Sequence, residues 1–556
     1  MASGAALDPL DALSRGWRAW ALIAALTIAA ALPGFSRIPA LDRDEARFAQ
    51  ATRQMVETGD FVRIRLQDEA RTQKPIGIYW LQAATVSVSG APLNAIWGYR
   101  LASLLGALLA AFAAFWAGLA LLDRRTAFLG AALFAPGMLI AAESAIAKTD
   151  ALLCGLVALA LAALAHLRHG GDRRLALLFW AALAAGVLTK GPAAPLVCGL
   201  TIAALAAWER RIAWLAPLAH WTGPALGALI IAPWAIAISA ASDGAFFQAM
   251  IGGDLAPKIT GGQQGHGAPP GYHLVLLAPL LIPATLGLAQ AVRLGVGAAR
   301  RPRDDAAQAG VRFLVCWIAP TFLFFEAMPT KLAHYTLPTF PALALVCAAG
   351  LIAGAERRWR LTAAASWVWF AAGGAALIAV TAYVSTFMPG DADADRRRAV
   401  QIALIGAAVL IASLALMARA RTPIVRAGAA IAFALFSSWH LRERILPEAR
   451  EVWVSREAAL ALRRAGLADR PLIVVGYREI SLAFETETRT QLLPFDQGAA
   501  AIARAPRGAA LLLHCDLDTG SPRIAMPPYG PIGGEAITGL NYSNGDRVCL
   551  VPRVAD

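Results

Sequence analysis

Through its first four hundred or so positions, the chain returns again and again to apolar runs about as long as a bilayer is thick. A helix needs roughly 20 mostly apolar residues to cross the hydrocarbon core. In lipid, every backbone N–H and C=O must be bonded inside the protein, so such runs are committed to helices packed on one another. Thirteen candidate spans stand near 18–36, 95–121, 127–145, 150–167, 175–189, 192–208, 213–240, 272–293, 312–327, 334–353, 360–386, 400–418 and 424–440. Composition agrees: 58% of the 556 residues are hydrophobic and 16% are charged, against about 25% charged in an ordinary soluble domain. The expected fold class is therefore a polytopic α-helical membrane protein.

The net charge of +13 does not mark a nucleic-acid partner. The Lys and Arg residues gather in short loops between apolar runs, as the positive-inside rule predicts for cytoplasmic loops. With the N-terminus inside, those loops are 123–125, 166–174, 209–211, 293–312, 356–360 and 419–421, and every one is basic. Arg396, Arg397 and Arg398 face outward on this count, with Asp391, Asp393 and Asp395 beside them to offset their charge. The first run follows Arg15 and Arg18 but leads to no small-residue cleavage site before a soluble domain, so it reads as a retained helix.

An odd number of spans places the C-terminal region outside. The expected division is a membrane unit over 1–442 and an outer α/β unit over 443–556. Short apolar runs bounded by Gly, Pro and Asp read as strands at 472–475, 509–514 and 547–551, and 457–465 has helical spacing. Cys515 and Cys549 fall in this region, where a disulfide is permitted. Cys154, Cys198, Cys316 and Cys347 sit in apolar runs as small buried hydrophobes. There is no internal repeat and no Cys or His spacing that would make a metal site.

The chemistry concentrates in the outer loops. Asp44 and Glu45 open a helical stretch and are followed by Arg47. Acidic residues in a first turn are ordinary caps, yet the same carboxylates can orient or deprotonate an acceptor. Lys74 precedes Pro75 and an aromatic run with Tyr79 and Trp80, a membrane-interface composition, where a lysine is a point-charge partner for a lipid phosphate. Glu143, Lys148 and Asp150 stand at the outer junction of two spans, and ionisable groups at that depth face an interior cavity. The outer loop 241–271 carries Asp254, Lys258 and His266, a lone histidine suited to a metal or a phosphate. The turn 328–338 adds Lys331, His334 and Tyr335.

In this order, DEARFA, QKPIGIYWL, AKTD, LTKGP and PTKLAHYTLPTFPALAL resemble the bacterial 4-amino-4-deoxy-L-arabinose transferase type of glycosyltransferase, related to protein O-mannosyltransferases. The resemblance covers roughly residues 1–440. It implies a GT-C fold and a multi-pass protein of the bacterial inner membrane with its active site on the periplasmic side. It implies a polyprenyl-phosphate-linked sugar donor and a glycolipid or other envelope acceptor such as lipid A. It makes Asp44 and Asp150 the cavity carboxylates, with Glu45 beside them. It sets Arg47, Lys74 and Tyr335 around the donor phosphate; the loop residues Lys331 and Lys258 are read as further phosphate-binding cations from their own positions, Lys258 in place of the arginine missing near His266. His266 takes the position of the family's outer-loop histidine. No cofactor is required, and a divalent metal at His266 is the one candidate. Three positions depart from the pattern. Gln73 replaces a frequent Glu, removing a carboxylate that a metal site would use. Phe48 stands where Tyr is frequent, and the loop after His266 lacks an arginine. Two other readings use similar parts: a protein O-glycosyltransferase, and a lipid-linked-sugar flippase.

Overall fold

The structure is a computed structural model, described here for residues 9–170, 172–257, 267–524 and 535–555. It is a bundle of membrane-spanning helices with a small α/β unit on one end. Helix occupies each of the thirteen expected stretches. Among the described residues, however, eight helices are long and apolar enough to span, or nine if one bent pair counts as a single span. The difference has local causes. Pro136 and Gly137 split one expected span into Arg124–Phe134 and Met138–Glu143, because proline cannot continue a helical hydrogen-bond ladder. Arg173–Lys190 carries three cations. Gly16–Ala31 and Ala193–Glu209 have 16 and 17 residues. Tyr272–Leu280 and Ala284–Arg300 form the bent pair, turning through 109°.

Small residues let the central helices close. A Cβ on Gly106 in Ile96–Leu121 would lie 2.5 Å from the Leu152 backbone of Asp150–Leu167. Close backbone approach of this kind is how helices gain packing energy where lipid supplies no hydrophobic drive. The contact also fixes the first turn of the second helix, which begins with Asp150.

The segment between the first two long helices lies over one end of the bundle. It contains the Asp44–Thr58 helix, a short hairpin of β1 (Arg65–Leu66) and β2 (Glu69–Ala70), and the Gly77–Ser89 helix. The C-terminal unit sits on the same end. Its sheet comprises β3 (Leu472–Val475), β4 (Gln491–Leu493), β5 (Ala510–His514), β6 (Ile537–Asn541) and β7 (Asp546–Val554), in the order β4-β3-β5-β7-β6. The β4-β3-β5 part is parallel and the β5-β7-β6 part antiparallel. The Val454–Arg464 helix packs on it, and Cys515 and Cys549 are joined by a disulfide. Residue 443, the expected start of this unit, lies inside a π-helical turn, His440–Ile445, that continues the Pro423–Trp439 helix.

Two buried arginines join the parts. Arg442 donates to the carbonyls of Ala30, Ala31 and Ala141 at 2.9 Å each. Arg53 donates to the carbonyls of Phe484 and Thr486 at 3.1 and 3.3 Å, holding the α/β unit against the Asp44–Thr58 helix.

Candidate active site

The site has a buried half and an open half. The buried half is the junction 143–150 with the ends of two neighbouring elements. Lys148 Nζ stands 3.1 Å from Glu143 Oε1 and 3.7 Å from Asp150 Oδ2. Lys190, the last residue of Arg173–Lys190, donates to Asp150 Oδ1 at 2.5 Å. His334 enters from the 328–338 turn, with Nδ1 at 3.3 Å from Lys148 Nζ and Nε2 at 3.6 Å from Asp150 Oδ1. An ammonium has only protons to give, so Nδ1 accepts and the ring proton sits on Nε2, facing Asp150. Two carboxylates thus face two ammoniums and one imidazole in a region almost closed to solvent: Glu143, Lys148 and Asp150 are 5, 7 and 4% exposed.

Asp44, Arg47, Arg71 and Tyr79 make the open half. Asp44 begins its helix with an exposed carboxylate. Its charge acts on Arg47, on Tyr79 and, across the gap, on Lys148, so the halves face one another. Burial holds the Arg47 guanidinium below the usual arginine range, and the neighbouring Arg71 charge pushes it the same way. Arg71 Nε donates to the Tyr79 hydroxyl at 2.9 Å, and its guanidinium lies 4.9 Å over the Phe48 ring. The ring at 48 is therefore a platform for Arg71, a role that needs no hydroxyl. Burial pushes the Tyr79 phenol up, which keeps it a hydrogen-bond donor. A Cβ on Gly77 would lie 2.8 Å from the Leu188 carbonyl oxygen. That close approach brings the start of the Tyr79 helix to the end of the Lys190 helix.

The residues singled out from the sequence are distributed unevenly. Asp44 and Arg47 line the open half and Asp150 the buried half. Tyr335 stacks at a tilt on Phe325 (5.5 Å) and lies 5.8 Å beneath Lys190 Nζ. Lys74 is half-buried and donates to the Gln73 carbonyl at 2.9 Å. Lys331 is buried and donates within its own turn to the Met328 carbonyl at 2.5 Å. Glu45, grouped with the catalytic carboxylates on sequence, turns away from the gap. It pairs with Arg100 at 2.8 Å through both oxygens and accepts from the Leu41 and Ala147 backbone N–H groups at 2.9 and 2.7 Å. Every acceptor direction on it is taken by a structural bond. Lys258 and His266 lie outside the described residues. Among the described residues no group of three or more His, Cys, Asp and Glu is placed to hold a metal ion.

Sequence reasoning gave no individual role to Lys190, Arg71 or His334. Lys190 had one legible signal, a cation at a helix C-terminus followed by Gly191 and Pro192, where the macrodipole favours positive charge. Arg71 had none, since it belongs to a charged loop.

Comparison with known proteins adds to this geometry. The family model of dolichyl-phosphate-mannose-protein mannosyltransferases matches residues 73–236, which include Lys148, Asp150 and Lys190. The undecaprenyl phosphate-alpha-4-amino-4-deoxy-L-arabinose arabinosyl transferase of Pseudomonas aeruginosa is 31% identical over 315 residues, 56% of this chain and 55% of that protein. The chain thus matches a little over half the length of that curated relative. The crystal structure of ArnT from Cupriavidus metallidurans bound to undecaprenyl phosphate superposes with a TM-score of 0.75 at 19% identity, covering 96% of this chain and 98% of that one. The apo oligosaccharyltransferase of Archaeoglobus fulgidus is more distant, with a TM-score of 0.51 at 12% identity over 86% of this chain and 64% of that one. At these identities the structural likeness establishes the fold.

Proposed function

For this chain, ArnT-like in sequence and built on the GT-C fold, we propose transfer of a sugar from a polyprenyl phosphate to an acceptor of the bacterial envelope. The site would open on the periplasmic side of the inner membrane. One observation carries the reading: an exposed carboxylate, a clamped carboxylate and several cations converge at one end of a membrane bundle. A flippase needs cations for a phosphate but has no use for the opposed carboxylates.

The roles follow from environment. The bond between the sugar carbon and the phosphate oxygen breaks, its electron pair stays on that oxygen, and an acceptor oxygen bonds to the carbon. Negative charge grows on the departing phosphate, where fixed cations contribute most. Arg47, Arg71, Lys74 and Lys190 are the cations at hand, and Tyr335 supplies a hydroxyl. Asp150 is already met by Lys190, Lys148 and the Nε2 proton of His334. It orders those cations and is a poor base. Asp44 is exposed and free of such a clamp, so it takes the proton when the acceptor is a hydroxyl. When the acceptor is a phosphate anion there is no proton to take, and Asp44 orients the donor sugar.

The mannosyltransferase match over 73–236 favours a second reading in which the acceptor is a Ser or Thr hydroxyl of a protein. The test is to reconstitute the protein with a panel of polyprenyl phosphate sugars and to measure free polyprenyl phosphate. Envelope glycolipids and exported proteins of a deletion strain are weighed in parallel. Release of polyprenyl phosphate, lost in Asp44→Asn and reduced in Lys190→Met and Lys74→Ala, supports transfer. No release with any donor, or a wild-type rate in Asp44→Asn, overturns it.

A further inference from the structure

A second cationic cluster lies at the opposite end of the bundle from the site. The helix beginning at Leu337 runs from the His334 turn to Glu356, and 20 residues at 1.5 Å each span about 30 Å. At its far end, the link to the Arg360–Val384 helix presents Trp359. The Arg293 guanidinium, from Leu288–Arg300, lies 4.3 Å from the centre of that ring, and Arg357 lies 5.6 Å from it. The turn holds Arg358 at φ +54°, a left-handed conformation that a non-glycine residue seldom adopts. Neither Arg293 nor Arg357 has an ion pair or a side-chain hydrogen bond among the described residues. Two like charges gathered on one ring repel, and the ring quadrupole offsets only part of that repulsion. An anion between them removes it.

The surroundings identify the kind of anion. Val292 and Val296, on the Arg293 helix, are 60 and 44% exposed, and Leu361, two residues after Trp359, is 87% exposed. In a membrane-spanning bundle such side chains face acyl chains. An apolar lane therefore runs beside the cation pair, a combination that fits a molecule with a charged head and a hydrocarbon tail. Basic pockets between spanning helices recognise lipid head groups in this way. We infer that Arg293, Trp359 and Arg357 form a binding site for the head group of an anionic phospholipid, in the leaflet away from the candidate active site. The inference requires only that the chain crosses the membrane and is independent of the transfer reaction.

The full chain is purified in detergent and supplied with equal amounts of phosphatidylglycerol, cardiolipin and phosphatidylcholine, and retained lipid is counted by native mass spectrometry. Each cation beside an anionic head group contributes about a factor of five, so Arg293→Gln with Arg357→Gln should lower anionic-lipid retention roughly thirtyfold. Trp359→Leu should lower it as well. Arg421→Gln, an exposed basic residue in another loop on that end, should leave it unchanged. Excess inorganic phosphate should not compete. Melting temperatures of all variants separate lost binding from lost folding. The proposal is overturned if wild type shows no preference for anionic lipid, if the double variant keeps it while folded, if Arg421→Gln loses as much, or if inorganic phosphate displaces the lipid.

Discussion

Removing the Glu45 carboxylate should damage the protein by a structural route. Glu45 and Arg100 are each 1% exposed, and their two bonds of 2.8 Å form a bidentate pair. In Glu45→Ala the guanidinium keeps three carbonyl acceptors, Phe35, Ile38 and Pro39, at 2.7, 2.9 and 3.0 Å. Its charge loses its counter-ion. Breaking one side of a buried pair costs about 3–5 kcal/mol, and the surviving acceptors argue for the lower end, about 3 kcal/mol. At about 1.36 kcal/mol per factor of ten, that is roughly a hundredfold in the folded-to-unfolded ratio. The backbone N–H of Ala147 also loses its acceptor, three residues before Asp150, so turnover should fall with stability. Glu45→Gln keeps the shape and one acceptor and should cost less, about 1–3 kcal/mol. Unfolding in detergent followed by tryptophan fluorescence, together with donor turnover, measures both effects. A Glu45→Ala protein with stability within about 1 kcal/mol of wild type would refute the structural reading. If turnover were lost all the same, Glu45 would return to a role in the chemistry.

Three further outcomes are expected. Asp42 lies between the Asp44 loop and the α/β unit, where its carboxylate accepts from Ser481 and its N–H donates to Tyr542 at 2.6 Å. Burial, helped by Glu479 and opposed by Ser481, Arg47 and Arg43, raises its pKa from 3.8 to about 7. A raised carboxylate stabilises the fold below its unfolded value and loses that contribution as pH climbs through the folded one. Hydrogen-exchange protection of 480–485 and 541–545 should therefore fall from pH about 4 to about 7, and Asp42→Asn should flatten the slope. Gly106→Ala should press on the Leu152 backbone and shift Asp150, destabilising by about 1–3 kcal/mol with a larger fractional loss of turnover than of stability, read by the same two assays. Cys549→Ala opens a disulfide between positions 34 apart and should destabilise the α/β unit by about 2–4 kcal/mol, seen as faster proteolysis within it.

The location of helices was legible because a lipid-facing helix must be apolar over its whole length. Helix occupies each of the thirteen apolar stretches, those facing lipid and those buried inside the bundle alike, because backbone within the membrane must bond inside the protein. The number of helices able to span alone was less legible, because burial inside the bundle relaxes the length rule. Arg124–Phe134 and Met138–Glu143 are packed among other helices, so the break at Pro136 leaves no peptide group against lipid. The α/β unit was legible from its three most apolar strands. Two more, β4 and β6, escaped notice. Gln491–Leu493 and Ile537–Asn541 are edge strands with mixed burial, and an edge strand carries a weak apolar pattern.

The gathering of charged groups around the gap was legible wherever charge stood out against an apolar background, as at Asp44, Glu143 and Asp150. It was illegible where charge stood among other charges. Arg71 sits in a loop with Arg63, Arg65 and Lys74, and only the fold shows that it meets the Tyr79 hydroxyl and the Phe48 ring. Glu45 shows the reverse error. One residue from Asp44, it carries the same sequence signal. Successive residues on a helix point about 100° apart, so one carboxylate meets the open gap while the other meets Arg100. Adjacent acids at the start of a helix thus meet two environments: Asp44 is exposed to the open gap, and Glu45 holds the helix end and the 143–150 junction in register. The two stand or fall together. A substitution at Glu45 that displaces Ala147 also moves Asp150, so rate loss alone will not separate the roles, and the stability measurement must accompany it.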